Sequence, residues 1–204
     1  MRQASFFFTL FSIFFTFSAC GPASQDSEAG DAGDGALTDV EQRQVIDDGK
    51  AIAQATFAEL SSNLAVAMSE GGVENAVQYC NLVAYPLVDS LSAVHDAVIR
   101  RTSLRVRNPR NQPSEAERAI LQAYHEQASE GEALTPQVER LNGQRIAFYA
   151  PIKIQPLCLQ CHGKVGEDVK ESDYALIRER YPEDEATGYE PGDLRGMWSI
   201  TFEQ

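Results

Sequence analysis

Apolar residues along this chain recur with different periods, and each change of period marks an element. Thr38-Asp39-Val40-Glu41 is a capping-box pattern, and it opens a stretch with apolar residues at Val45, Ile52, Phe57, Leu60, Leu64 and Met68. Their helical spacing predicts a long first helix, ended by Gly71-Gly72. Val73, Ala76, Val77 and Cys80 then stand at i, i+3, i+4 and i+7, which predicts a short second helix with Cys80 on its inward face. Pro86 is expected to interrupt that helix, with Leu87, Val88, Leu91 and Val94 forming another beyond it.

From Val98 the period becomes two. Thr102, Leu104 and Val106 alternate with Ser103, Arg105 and Arg107, a predicted strand closed by Asn108-Pro109. Ser114-Glu115-Ala116-Glu117 is a second capping box, leading a helix through Ile120, Leu121, Tyr124 and Ala128. Gln137 to Leu141 and Gln144 to Ile152 read as a hairpin around Asn142-Gly143, the pair favoured in type I′ turns. The hairpin runs into Cys158-Leu159-Gln160-Cys161-His162, after which Ser172 is expected to cap a short helix ending before Pro182. Leu194 to Phe202 closes the chain as a strand with Trp198, Ile200 and Phe202 on one face. Helices, strand, helix, hairpin, helix and strand without internal repeat predict an α+β single domain over residues 38–204.

Ahead of that domain the pattern is different. Arg2, the apolar run Phe6 to Phe17 and the small Ser18 and Ala19 read as a signal peptide over residues 1–19, because the run is short for a membrane span. Phe17-Ser18-Ala19-Cys20 resembles a bacterial lipobox, with Phe where Leu is usual, and makes Cys20 the expected lipidation site. Ordinary signal cleavage leaving a plain thiol is the alternative. Residues 20–37 are Gly, Ala and Ser with scattered acids, an expected flexible tether that holds the body on the order of 25 Å from its anchor. These features place the protein in the bacterial cell envelope, lipid-anchored and facing the periplasm.

Charge removes one class of partner. With 17 Lys and Arg against 30 Asp and Glu the net charge is -13, and nucleic-acid binding needs clustered cations to displace counterions from phosphate. Three of the four cysteines lie outside the lipobox, and two of them form C-x-x-C-H, the haem c attachment pattern. In it Cys158 and Cys161 form thioethers with the two vinyl groups and His162 ligates the iron. The competing readings are a thioredoxin-like pair, which needs a βαβ setting; a zinc site using Cys158, Cys161 and Cys80, which lacks a second paired motif; and a strained disulfide between Cys158 and Cys161. For the opposite side of the iron, His95, His125, Met68, Met197 and Cys80 are candidates. Cys80 is the cysteine for which neither lipid nor haem accounts.

Arg101-Thr102-Ser103-Leu104-Arg105-Val106-Arg107-Asn108-Pro109-Arg110-Asn111 follows Cys80 and Pro86, and Gly188-Tyr189 and Gly192-Asp193-Leu194-Arg195-Gly196 follow Cys158 to His162. Together they resemble a family of exported single-haem proteins, long known only as a domain of unknown function, with a PAS-like haem-c fold. The resemblance covers about residues 38–202. It implies His/Cys axial ligation, with His162 proximal and Cys80 distal, and a role in sensing redox state or a small diatomic ligand. Family members often precede signalling modules, and none is evident here, so any output is expected to pass to a redox or signalling protein partner. Arg101, Arg105 and Arg107 would share one strand face, either clamping the two haem propionates or pairing with the chain's carboxylates in solvent. The expected function is a redox or small-ligand sensor, with a low-potential electron-transfer cytochrome and a non-haem zinc lipoprotein as alternatives. An enzyme such as a peroxidase is not expected. Dimerisation through the long first helix is left open.

Overall fold

A computed structural model of the protein describes residues 36–141 and 144–203. The leader, Cys20, most of the tether and the Asn142-Gly143 turn lie outside the described residues. In chain order the elements are α1 (Asp39–Leu82), α2 (Ala84–His95), β1 (Ala97–Thr102), α3 (Glu115–Ser129), β2 (Gln137–Arg140), β3 (Arg145–Lys153), α4 (Leu159–His162), α5 (Glu171–Arg180) and β4 (Leu194–Glu203). Single 3-10 turns stand at Pro109–Asn111 and Pro156–Cys158. Among the described residues no helix is long and apolar enough to cross a membrane.

The strands form one antiparallel sheet in the order β1-β4-β3-β2. This is the expected α+β architecture, a small antiparallel sheet flanked by helices and led by a long N-terminal helix. Alternation along the strands sends Ile99, Ile146, Phe148, Trp198 and Ile200 to the face covered by α1 and α2. Ala147, Tyr149 and Met197 go to the opposite face under Leu121 and Tyr124 of α3. Each fully buried large apolar side chain of this kind contributes about 1.5–3 kcal/mol relative to exposure.

Both capping boxes form as expected, at Thr38 with Glu41 and at Ser114 with Glu117. The buried stripe of α1 runs Val45, Gly49, Ile52, Ala53, Thr56 and Leu60. Phe57 departs from expectation: it lies beside the stripe and is 42% exposed. Gly49 permits close approach to the sheet, since a Cβ there would stand 2.3 Å from the Phe148 ring. Helical backbone breaks at Gly71 and Gly72, the latter with φ +65°, so the segment carrying Cys80 is set off by a kink, as the glycine pair predicts.

Three local expectations fail. Pro86 does not interrupt a helix: α2 begins at Ala84, so the proline occupies the first turn, where its missing N–H has no helical partner to lose. β1 ends at Thr102 rather than running on to Arg107. There the chain bends, with the Ser103 hydroxyl accepting from Arg105 N at 3.1 Å and donating to Arg195 O at 2.7 Å. Ser172 is not a cap, because α5 starts at Glu171 behind Lys170.

Candidate functional site

The Cys158–His162 segment folds as a 3-10 turn running into the single turn of α4, which brings both thiols and the imidazole to one corner of the fold. Gly163 follows, and it must be Gly: a Cβ would lie 2.4 Å from the Asp168 side chain and 2.7 Å from Leu159 O. The loop after α5 clasps this turn. Gly188 N donates to Gly163 O at 2.7 Å and Tyr189 N to His162 O at 3.0 Å. Cys158 packs against the cluster of Ile154, Ala186 and Tyr189, whereas Cys161 packs against that of Val77, Val169, Ile177 and Tyr181. Cys80, Cys158 and Cys161 are all free thiols.

His162 has one defined tautomer. Its Nδ1 is 2.7 Å from Ala186 O, and a carbonyl can only accept, so Nδ1 carries the hydrogen and Nε2 keeps its lone pair. Burial, and then the charges of Arg195, Arg107 and Arg101, hold the imidazole well below the usual histidine range, which keeps it neutral. A neutral imidazole with its second nitrogen pinned on a carbonyl is the form that binds metal ions.

Cys80 sits in the last turn of α1, three residues beyond Val77, which belongs to the buried cluster that Cys161 packs against. It is half-buried there. Burial raises the thiol's pKa, and Arg101 and Arg107 act in the opposite direction. Cys161 is likewise raised by burial and lowered by Arg107, with the charge of Cys80 among the smaller influences on it. The other candidates for the far side of the iron are placed differently. Met197 is fully buried under α3 on the opposite sheet face, and His125 lies on α3 itself. His95 ends α2, and Met68 precedes the kink in α1.

The three arginines are not side by side on a strand, because β1 ends before two of them. Arg101 alone is in β1, opposite Trp198 and 5.9 Å from its ring centroid. Arg105 donates to Glu185 O at 3.0 Å and also to Thr187 O. Arg107 pairs with Asp184 at 3.0 Å and donates to Cys161 O at 2.6 Å and Ala186 O at 3.3 Å. Asp184 in turn accepts from Ala186 N at 3.0 Å, so one buried ion pair fixes the carbonyl that orients His162. The rest of the basic string is structural: Asn108 caps the Pro109 turn, Thr102 donates to Asn111 O, and Tyr85 donates to the Asn111 side chain beneath Arg110.

Residues 38–202 match the model of the family described as Tll0287-like. The chain belongs to the Tll0287-like family. That membership spans nearly all of the described residues and agrees with the resemblance carried by the R-T-S-L string. Among solved structures the chain is similar to the crystal structure of the cyanobacterial heme-protein Tll0287, with 24% identity and a TM-score of 0.54. The match covers 82% of this chain and 98% of that one, and at this identity it speaks for the fold. No curated protein matches.

The residues at this corner fit a covalent haem by their donor set. Two free thiols flank a turn, a neutral imidazole offers Nε2, and a third thiol sits on the neighbouring helix. A zinc site would need three ligands gathered together, and no group of three His, Cys, Asp or Glu fit to hold a metal occurs among the described residues. Two contributors escaped the sequence reading. Asp184 and Arg195 are separated from their partners by tens of residues, and only the G-D-L-R-G string pointed toward the second.

Proposed function

We propose that the protein is an exported, lipid-anchored c-type cytochrome that senses redox state or a small diatomic ligand. Cys158 and Cys161 would hold the haem through thioethers, His162 would ligate the iron through Nε2, and Cys80 would ligate it from the opposite side. The observation that carries the reading is the Ala186 carbonyl on His162 Nδ1, which leaves a neutral donor atom within a C-x-x-C-H turn. Family membership and the likeness to a cyanobacterial heme-protein support the same cofactor.

When bound, the group would supply a one-electron iron couple. The chain's residues do the rest. The 184–189 loop keeps His162 in one tautomer. Cys80 would hold the iron as thiolate, more strongly in the ferric than in the ferrous state, and its helical segment beyond the Gly71-Gly72 kink is the element whose position would then depend on oxidation state. That movement would expose a site for CO or NO and change the surface read by a redox or signalling partner. The same thiolate would lower the reduction potential, so a low-potential electron carrier is the second reading. Fast exchange with an electron donor without any change in ligation would favour it.

Protein produced with the c-type maturation machinery should stain for haem after boiling in denaturant, and Cys158→Ala with Cys161→Ala should abolish the stain. A wild-type protein without covalent haem overturns the proposal. The anchor has its own test: wild type should partition with membranes and Cys20→Ala should not.

A further inference from the structure

Arg195 is the cation at this corner with a buried donor that nothing among the described residues accepts. It opens β4, and its one hydrogen bond among the described residues runs from Nη1 to Arg105 O at 3.0 Å. Its Nε is buried without a partner. Among the described residues no carboxylate lies in ion-pair range of it: the pairs are Arg100 with Glu117, Arg107 with Asp184 and Lys164 with Glu190. A guanidinium donor that is buried with neither solvent nor an anion to accept it is costly. Burial indeed lowers its pKa below the usual arginine range. Tyr189 acts the other way, through its charge and its side-chain contact with the guanidinium, whose carbon lies 5.5 Å from the ring centroid.

Its neighbours explain why the protein supplies no anion. Arg105 and Arg107 come from the bend after β1, Arg101 from β1, Tyr189 and Asp184 from the loop after α5, and His162 from α4. Asp184 is the sole carboxylate acting on Arg195, and its oxygens are already taken by Arg107 and Ala186 N. Arg105 and Arg107 spend their own donors on backbone carbonyls and Asp184, so the propionate clamp expected of them is largely occupied. His162 and Arg195 share Tyr189 as a neighbour: its ring stands 6.4 Å from the imidazole and 5.5 Å from the Arg195 guanidinium carbon, and after burial the charge of Arg195 is the largest influence on His162.

We propose that Arg195 receives a carboxylate of the bound porphyrin, with its unpartnered Nε–H as the waiting donor. This rests on the haem reading above. A guanidinium beside a carboxylate forms paired, charge-assisted hydrogen bonds that an ammonium cannot reproduce. The porphyrin propionate is thus held ionised, and its proton does not exchange in the neutral range.

The test uses matured, haem-loaded protein and reads the reduction potential as a function of pH. Wild type should show no propionate ionisation step between weakly acidic and neutral pH. Arg195→Gln should lower the potential and introduce a fall as pH rises through that range, because the carboxylate then titrates. Arg195→Lys should show a smaller change in the same direction, and it decides the matter should the Gln variant fail to mature. Arg145→Gln, at the exposed start of β3, should leave the profile as in wild type. Identical pH profiles in wild type and an Arg195 variant overturn the proposal. A wild type without covalent haem would instead overturn the haem reading, so the two failures are separable.

Discussion

Replacing Asp184 with Ala removes an acceptor used three times: by Arg107 Nε at 3.0 Å, by Arg107 Nη2 at 3.1 Å and by Ala186 N at 3.0 Å. The pair is secluded, with the Asp184 side chain fully buried and that of Arg107 13% exposed. Truncating one partner of such a pair strands the other charge, which costs about 3–5 kcal/mol. Because the Arg107 side chain keeps some contact with water, about 3 kcal/mol is expected, a large part of the roughly 5–15 kcal/mol that holds a domain together. Urea unfolding followed by circular dichroism should register a midpoint lower by about 1–3 M at ordinary denaturant sensitivity. The double variant Arg107→Met with Asp184→Leu should recover most of the loss, since two apolar side chains replace the pair without leaving a bare charge. A cost under about 1 kcal/mol for Asp184→Ala would place the pair among surface salt bridges and refute the argument.

Three further outcomes follow from other parts of the molecule. Gly49→Val should destabilise by about 1–3 kcal/mol or more, because its Cβ would overlap the Phe148 ring, and a wild-type melting temperature would contradict the packing of α1 on β3. Burial pushes Tyr149 and Tyr181 each up to about 12 from an ordinary 10.0, so the folded state favours the neutral phenol: their contribution is complete below pH 10 and lost as pH rises through about 12. Ultraviolet titration should show these two phenols ionising late, with Tyr124, which burial raises further, later still, together with loss of stability above pH 10. Cys80→Ser should alter the ferric EPR spectrum, and ferrous wild type should take up CO; coincident ferric spectra would remove Cys80 from the ligand set.

Elements specified by local chemistry were legible in advance. Thr38 with Glu41 and Ser114 with Glu117 each mark a helix start within four residues, and the alternation at Trp198, Ile200 and Phe202 places the last strand. The failures share a cause. Ser103 to Arg107 alternates like a strand, yet the Ser103 hydroxyl reaches across to Arg195 O and turns the backbone, a contact no local pattern reveals. Pro86 has two meanings in a sequence, breaker or first-turn residue, and the boundary at Val83 decides between them. At the site, the C-x-x-C-H motif named its own residues. Asp184, held by an arginine 77 positions earlier in the chain, had no such signature.

The order of strands has a temporal consequence. β4 lies between β1 and β3, pairing Ala97 with Phe202 on one side and Arg145 with Glu203 on the other. A chain emerging from its N-terminus therefore holds β1 unpaired for about a hundred residues of synthesis, and its loop-closure cost falls at the end. Cys158, Cys161 and His162 emerge before β4, while the central strand of the sheet is still missing. Chemistry on those thiols has an interval in which they are presented on an open chain, and the arrival of Arg195 with the last strand brings that interval to a close.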